Sequence, residues 1–119
     1  MTEADIQAQV VEYCRLHERR CNFLFFSCPN EGAGNRNQRA GMIRTMKLKR
    51  MGLRSGVADL IFVKYGKAYF LEMKAPKGVV SESQRDFQQD AWRVDAFYSV
   101  AHSFEDAVNV LKLWRVIDD

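Results

Sequence analysis

Gly52-Leu-Arg-Ser-Gly-Val-Ala-Asp59-Leu-Ile-Phe-Val63, followed by Lys64-Tyr-Gly-Lys67 and then Ala68-Tyr-Phe-Leu-Glu-Met-Lys74, is the stretch whose reading decides the fold. Two apolar, β-rich runs, Leu60 to Val63 and Ala68 to Met73, flank a short polar break that contains Gly66, the pattern of a β-hairpin. Side chains alternate across a strand, so Glu72 and Lys74 project from one face, about 6–7 Å apart, while Leu71 and Met73 point the other way. Antiparallel pairing sets Asp59, at the opening of the first strand, beside the end of the second. Two carboxylates and an ammonium then converge on one point.

Two carboxylates, a backbone carbonyl and water suit a hard divalent cation such as Mg²⁺ or Mn²⁺. Asp59, Glu72 and the Met73 carbonyl are the candidate ligands. Such a cation activates water and offsets charge on a phosphorane, with Lys74 orienting that water or steadying the charge. Asp, Glu and Lys at this spacing are also what a solvated face carries.

Asp59 followed by Glu72-Met73-Lys74 resembles the core of the PD-(D/E)xK nucleases. The wider string, Gly52 to Leu60, then Glu72-x-Lys74, then Ser81-x-x-Gln84, resembles the virus-type replication-repair nuclease (VRR-NUC) branch of that superfamily. The resemblance covers most of the chain. It implies a restriction-endonuclease-like fold and assigns Gln84 to the active site, to hold a phosphate or a water. It also implies an N-terminal helix whose glutamate faces the site, and Glu3 in Glu3-x-x-Ile6-Gln7 is the matching position. One departure is Ala58, where the family carries proline before its aspartate; the loss removes stiffness, not a ligand.

A chain of 119 residues with 47% hydrophobic and 28% charged residues is expected to form one globular domain, residues 1–119, without disulfides. The net charge of +3 says less than its distribution. From Gly32 to Ala58 there is no Asp or Glu, whereas Arg36, Arg39, Arg44, Lys47, Lys49, Arg50 and Arg54 all fall there. Next to a phosphate-cleaving site this block reads as a nucleic-acid footprint; in isolation it would read as a solvated basic helix. No signal-peptide pattern and no membrane-length apolar run is present, and the three cysteines fit free thiols in a reducing, cytoplasmic setting.

Thr2 with Asp5 caps a helix expected to reach about Glu18, with Ile6, Val10, Val11 and Cys14 as its inward stripe. Glu3 opens that stripe. An acid there suits the helix dipole, and an inward carboxylate also invites a metal or its water as partner. Cys14, His17, Cys21 and Cys28 lack paired zinc spacing, and Cys14 reads as core. Asn22 to Ser27 reads as a strand, followed by the turn-rich Pro29 to Asn35. A helix is expected from about Asn37 to Met51, with Met42, Met46 and Ile43 inward. Gly56 permits a tight approach to the next strand.

Ser81 and Gln84 form a capping box for a helix ending near Asp95, with Phe87, Ala91 and Val94 inward and Trp92 at its edge. Phe97 to Ala101 reads as a strand. Ser103 caps a last helix carrying Phe104, Ala107, Val108 and Leu111 on one face. His17 and His102 read as surface or satisfied core.

The order helix, strand, helix, strand, strand, helix, strand, helix gives an α/β fold with a mixed sheet flanked by helices. The expected activity is metal-dependent hydrolysis of DNA phosphodiesters. The resemblance further implies that compact, stand-alone members, often of phage or mobile-element origin, cut branched DNA such as four-way (Holliday) junctions. Paired cuts require two sites and hence a homodimer. A monomeric flap or nicking endonuclease and a non-catalytic DNA-binding module remain the alternatives, and RNA as substrate stays open.

Overall fold

The computed structural model describes residues 1–29 and 38–118. The element order is α1 (Glu3–His17), β1 (Leu24–Ser27), α2 (Gln38–Arg50), β2 (Leu60–Lys64), β3 (Lys67–Met73), α3 (Glu82–Arg93), β4 (Phe97–Ala101) and α4 (Phe104–Leu113). The strands form one mixed sheet in the order β1-β2-β3-β4, antiparallel except for the parallel β3–β4 pair. The class and element order are those expected from the sequence.

The central hairpin closes through Tyr65 and Gly66, both at positive φ (57° and 72°), between the paired Lys64 and Lys67. This is the primed-turn geometry whose twist matches that of the flanking strands. Alternation then assigns the two faces. Leu60, Phe62, Tyr69, Leu71 and Met73 pack with Ile6, Val10 and Cys14 of α1 and Ala107 and Leu111 of α4. On the other face, Phe70, Tyr98 and Val100 pack with Ala58 and with Phe87 and Ala91 of α3.

Each of these three helices starts where its cap places it. Thr2 with Asp5 and Ser81 with Gln84 form reciprocal capping boxes, and Ser103 Oγ accepts from the Asp106 N–H. Lys64, buried on the α4 side, donates from Nζ to the carbonyls of Arg115 and Val116 at 3.0 Å. The segment after α4 is thereby pinned against the hairpin.

Two expectations differ. Met42, Ile43 and Met46 of α2 are not inward: they are 65%, 60% and 64% exposed, because α2 makes no extensive contact with any other element among the described residues. Val94 lies past the end of α3, at its C-cap, and is exposed rather than inward.

Candidate active site

Leu60 pairs with Leu71, so the next positions outward along the same register are Asp59 and Glu72. The Met73 N–H donates to Asp59 Oδ2 at 2.9 Å, which fixes the first carboxylate at the end of β3. Both carboxylates lie on the α3 side of the sheet, as does Lys74, because Met73 between them points into the α1–α4 core. Met73 therefore contributes backbone, not side chain, at this point.

Glu72 is the most constrained member, at 1% exposed. Its Oε2 accepts from Gln84 Nε2 at 3.0 Å and lies 3.9 Å from the Lys74 ammonium. Its Oε1 is buried and has no hydrogen-bond partner. Burial, then the facing Asp59 carboxylate, push the Glu72 carboxyl up to about 8; Glu3 adds slightly and Lys74 opposes. Two facing carboxylates with an orphaned oxygen need a shared proton or a cation between them. The donor set fits a hard divalent cation.

Gln84 reaches Glu72 because of its place in α3. Its Oε1 accepts from the Ser81 N–H at 2.9 Å while its Nε2 turns to Glu72, so one amide both caps the helix and holds the buried carboxylate. The structural and the site readings of Gln84 are thus the same arrangement. Gly56, at φ 79°, makes this possible: a Cβ there would stand 2.1 Å from the Ser83 carbonyl oxygen and 2.7 Å from the Gln84 nitrogen. The strand-entry loop therefore lies directly on the first turn of α3.

The other sequence candidates are placed less closely. Glu3 is exposed at the start of α1, and the described residues contain no group of three or more His, Cys, Asp or Glu able to hold a metal. Glu3 thus does not join Asp59 and Glu72 as a third carboxylate, although its charge reaches Glu72. Arg39, Arg44, Lys47, Lys49 and Arg50 are exposed along α2. Arg36 lies outside the described residues, as does the turn-rich stretch from Asn30 to Asn35. Arg54 pairs with Asp90 and stacks its guanidinium 5.3 Å from the Phe87 ring centre, strapping the loop before β2 onto α3. Cys14, Cys21 and Cys28 are free thiols.

Sequence reading missed the contribution of β4. Tyr98 is buried beneath the site, its hydroxyl has no hydrogen-bond partner, and burial together with the charges of Glu72 and Asp59 pushes its phenol up. The alternation of Tyr98, Val100 and His102 was visible, but not the fact that their strand pairs with β3. Only the sheet order brings them to the face that carries Glu72.

Comparison with known proteins agrees with this geometry. A family model for the VRR-NUC domain matches residues 1–105. A solved structure described as a VRR_NUC domain protein superposes with a TM-score of 0.74 at 16% sequence identity, covering 100% of this chain and 92% of that one. At that identity the likeness shows the fold. No curated protein matches.

Proposed function

This chain belongs to the VRR-NUC family, and from that membership we propose that it is a divalent-metal-dependent endodeoxyribonuclease acting on branched DNA, four-way junctions above all. The observation that carries the reading is the buried Glu72, its Oε1 unpaired, set against Asp59 with Lys74 and Gln84 alongside. That is one cation position with a cationic side chain next to it. Asp59, Glu72 and the backbone of Met73 would hold Mg²⁺ or Mn²⁺, and the ion would supply an activated water and charge stabilisation at the phosphate.

The chain's own residues do the rest. Gln84 holds Glu72 at the carboxylate end, so that its second oxygen is left for the cation. Lys74, with only 12% of its side chain exposed, is kept beside Glu72 and offers an ammonium to a phosphate oxygen or to the attacking water. The exposed basic residues of α2 supply backbone contacts, which give affinity and shape selection without reading bases.

Opposed cuts in a junction need two sites, and in this reading a homodimer provides them. The exposed Met42, Ile43 and Met46 stripe of α2 supports it, since a contiguous apolar surface of this kind marks an interface. The test is cleavage of labelled four-way junction, flap, linear duplex and single-stranded DNA in Mg²⁺, Mn²⁺ or EDTA by the native protein, Lys74→Ala and Glu72→Ala. Metal-dependent paired cuts in the junction, abolished in both variants, are expected. Cuts confined to flaps or single strands would replace the junction reading with a monomeric flap or nicking enzyme. Binding without cleavage in any metal would leave a DNA-binding module.

A further inference from the structure

The parallel register of β3 and β4 ends with Met73 abreast of Ala101, and the Lys74 N–H carries it on by donating to the Ala101 carbonyl at 2.9 Å. Lys74 is therefore abreast of His102 on the neighbouring strand, about 4.8 Å away at the usual strand spacing. Tyr98 and Val100 lie on the α3 side of the sheet, and alternation puts His102 there too, with Glu72 and Lys74. The site-bearing edge of the sheet thus carries a histidine next to the active-site lysine.

The ring is fixed. His102 is half-buried, and its Nδ1 lies 3.0 Å from the Ala75 carbonyl oxygen, just beyond Lys74. A carbonyl only accepts, so Nδ1 carries the proton of that bond and Nε2 is the nitrogen available to a ligand. The backbone is held as well, the His102 N–H donating to Asp106 Oδ2 at 3.2 Å.

We propose that His102 is a further binding residue of this site, its Nε2 contacting a phosphate oxygen of the DNA strand held at Asp59, Glu72 and Lys74. The inference rests on the nuclease reading above and adds a phosphate subsite to it on the β4 side. Phosphate oxygens only accept, so the contact needs an N–H at Nε2 beside the Nδ1–H already committed to Ala75. Lys74, one residue past β3, and Lys77 in the following turn add positive charge on this stretch of chain. His102 and Lys74 would then grip adjacent oxygens or adjacent phosphates of one strand.

Two substitutions separate the nitrogens. His102→Asn keeps a donor where Nδ1 stands and removes Nε2; His102→Gln places a donor where Nε2 stands. Binding of a labelled four-way junction is measured in EDTA, so that cleavage does not interfere, with the melting temperature of each protein recorded alongside. His102→Asn is expected to melt like the native protein and bind roughly tenfold more weakly, the loss of one hydrogen bond to a charged group. His102→Gln is expected to bind within about twofold of native. Native affinity in His102→Asn, or equal weakening in both variants, would overturn the subsite. Because binding is read without catalysis, a native protein that binds but never cuts sinks the nuclease reading alone, whereas one that binds no DNA sinks both.

Discussion

Glu72 is ionised in the unfolded chain at pH values where burial and Asp59 keep it protonated in the fold. Its carboxyl is pushed from an ordinary 4.5 up to about 8, so between those values the folded state holds a proton that the unfolded state has lost. Stability from this group therefore falls as pH rises through that window and levels off above it, at up to about 1.4 kcal/mol per pH unit. In EDTA, the native protein is expected to melt several degrees lower at pH 8.5 than at pH 5.5, while Glu72→Gln, which has no proton to lose, shows a much smaller difference. Mg²⁺ or Mn²⁺ should raise the melting temperature of the native protein most at high pH, since a cation stabilises the ionised pair. Equal pH dependence in the native protein and Glu72→Gln would mean that Glu72 is not the strained group.

Among the elements, the loop before β2 and the first turn of α3 form one unit, and two glycines show how it is built. Gly56 and Gly66 both sit at positive φ, but an added Cβ at Gly66 meets nothing within 4 Å whereas one at Gly56 runs into the Ser83–Gln84 backbone. Gly66→Ala should cost only the left-handed conformation, about 1 kcal/mol, with activity kept. Gly56→Ala adds a clash that must push α3 away, costing about 2 kcal/mol or more, and should abolish cleavage by drawing Gln84 off Glu72. Chemical denaturation and a cleavage assay on both variants check this; an active Gly56→Ala would separate the loop from the site. Much of this scale was legible in sequence. The hairpin, the capping boxes at Thr2 and Ser81 and the cap at Ser103 are local patterns, readable because the residues that satisfy them are three apart. The exposure of Met42 and Met46 was not readable. Periodicity reports that a helix has an apolar face, not whether another element is there to cover it. For Glu3 the helical wheel gives the direction but not the reach: the side chain is exposed at the start of α1, while its charge still acts on Glu72.

For the molecule as a whole, α2 is the element that intrachain packing leaves unexplained. The described chain extends 48 Å along its longest axis against 24 Å along its shortest, and its radius of gyration of 15.0 Å exceeds the ~13.5 Å typical of a compact chain of this length. A helix with no extensive contact to another element among the described residues, three exposed large apolar side chains in its middle and basic residues around them is unsatisfactory in a lone monomer. In the homodimer proposed above, pairing with the same helix of a second copy would bury the stripe and leave Arg39, Arg44, Lys47, Lys49 and Arg50 around the seam to receive a polyanion crossing both protomers. DNA bound there would also offset the repulsion between the two sets of cations. On this account the double substitution Met42→Ser/Met46→Ser shifts sedimentation from dimer to monomer at micromolar concentration. The same variant keeps Asp59, Glu72 and Lys74 intact, so it should still nick junctions in Mg²⁺ while losing the paired cuts made within one binding event. A native protein that sediments as a monomer with and without DNA would reject the dimer outright. A variant that remains dimeric would place the seam elsewhere, the exposed edge strand β1 being the next surface to test.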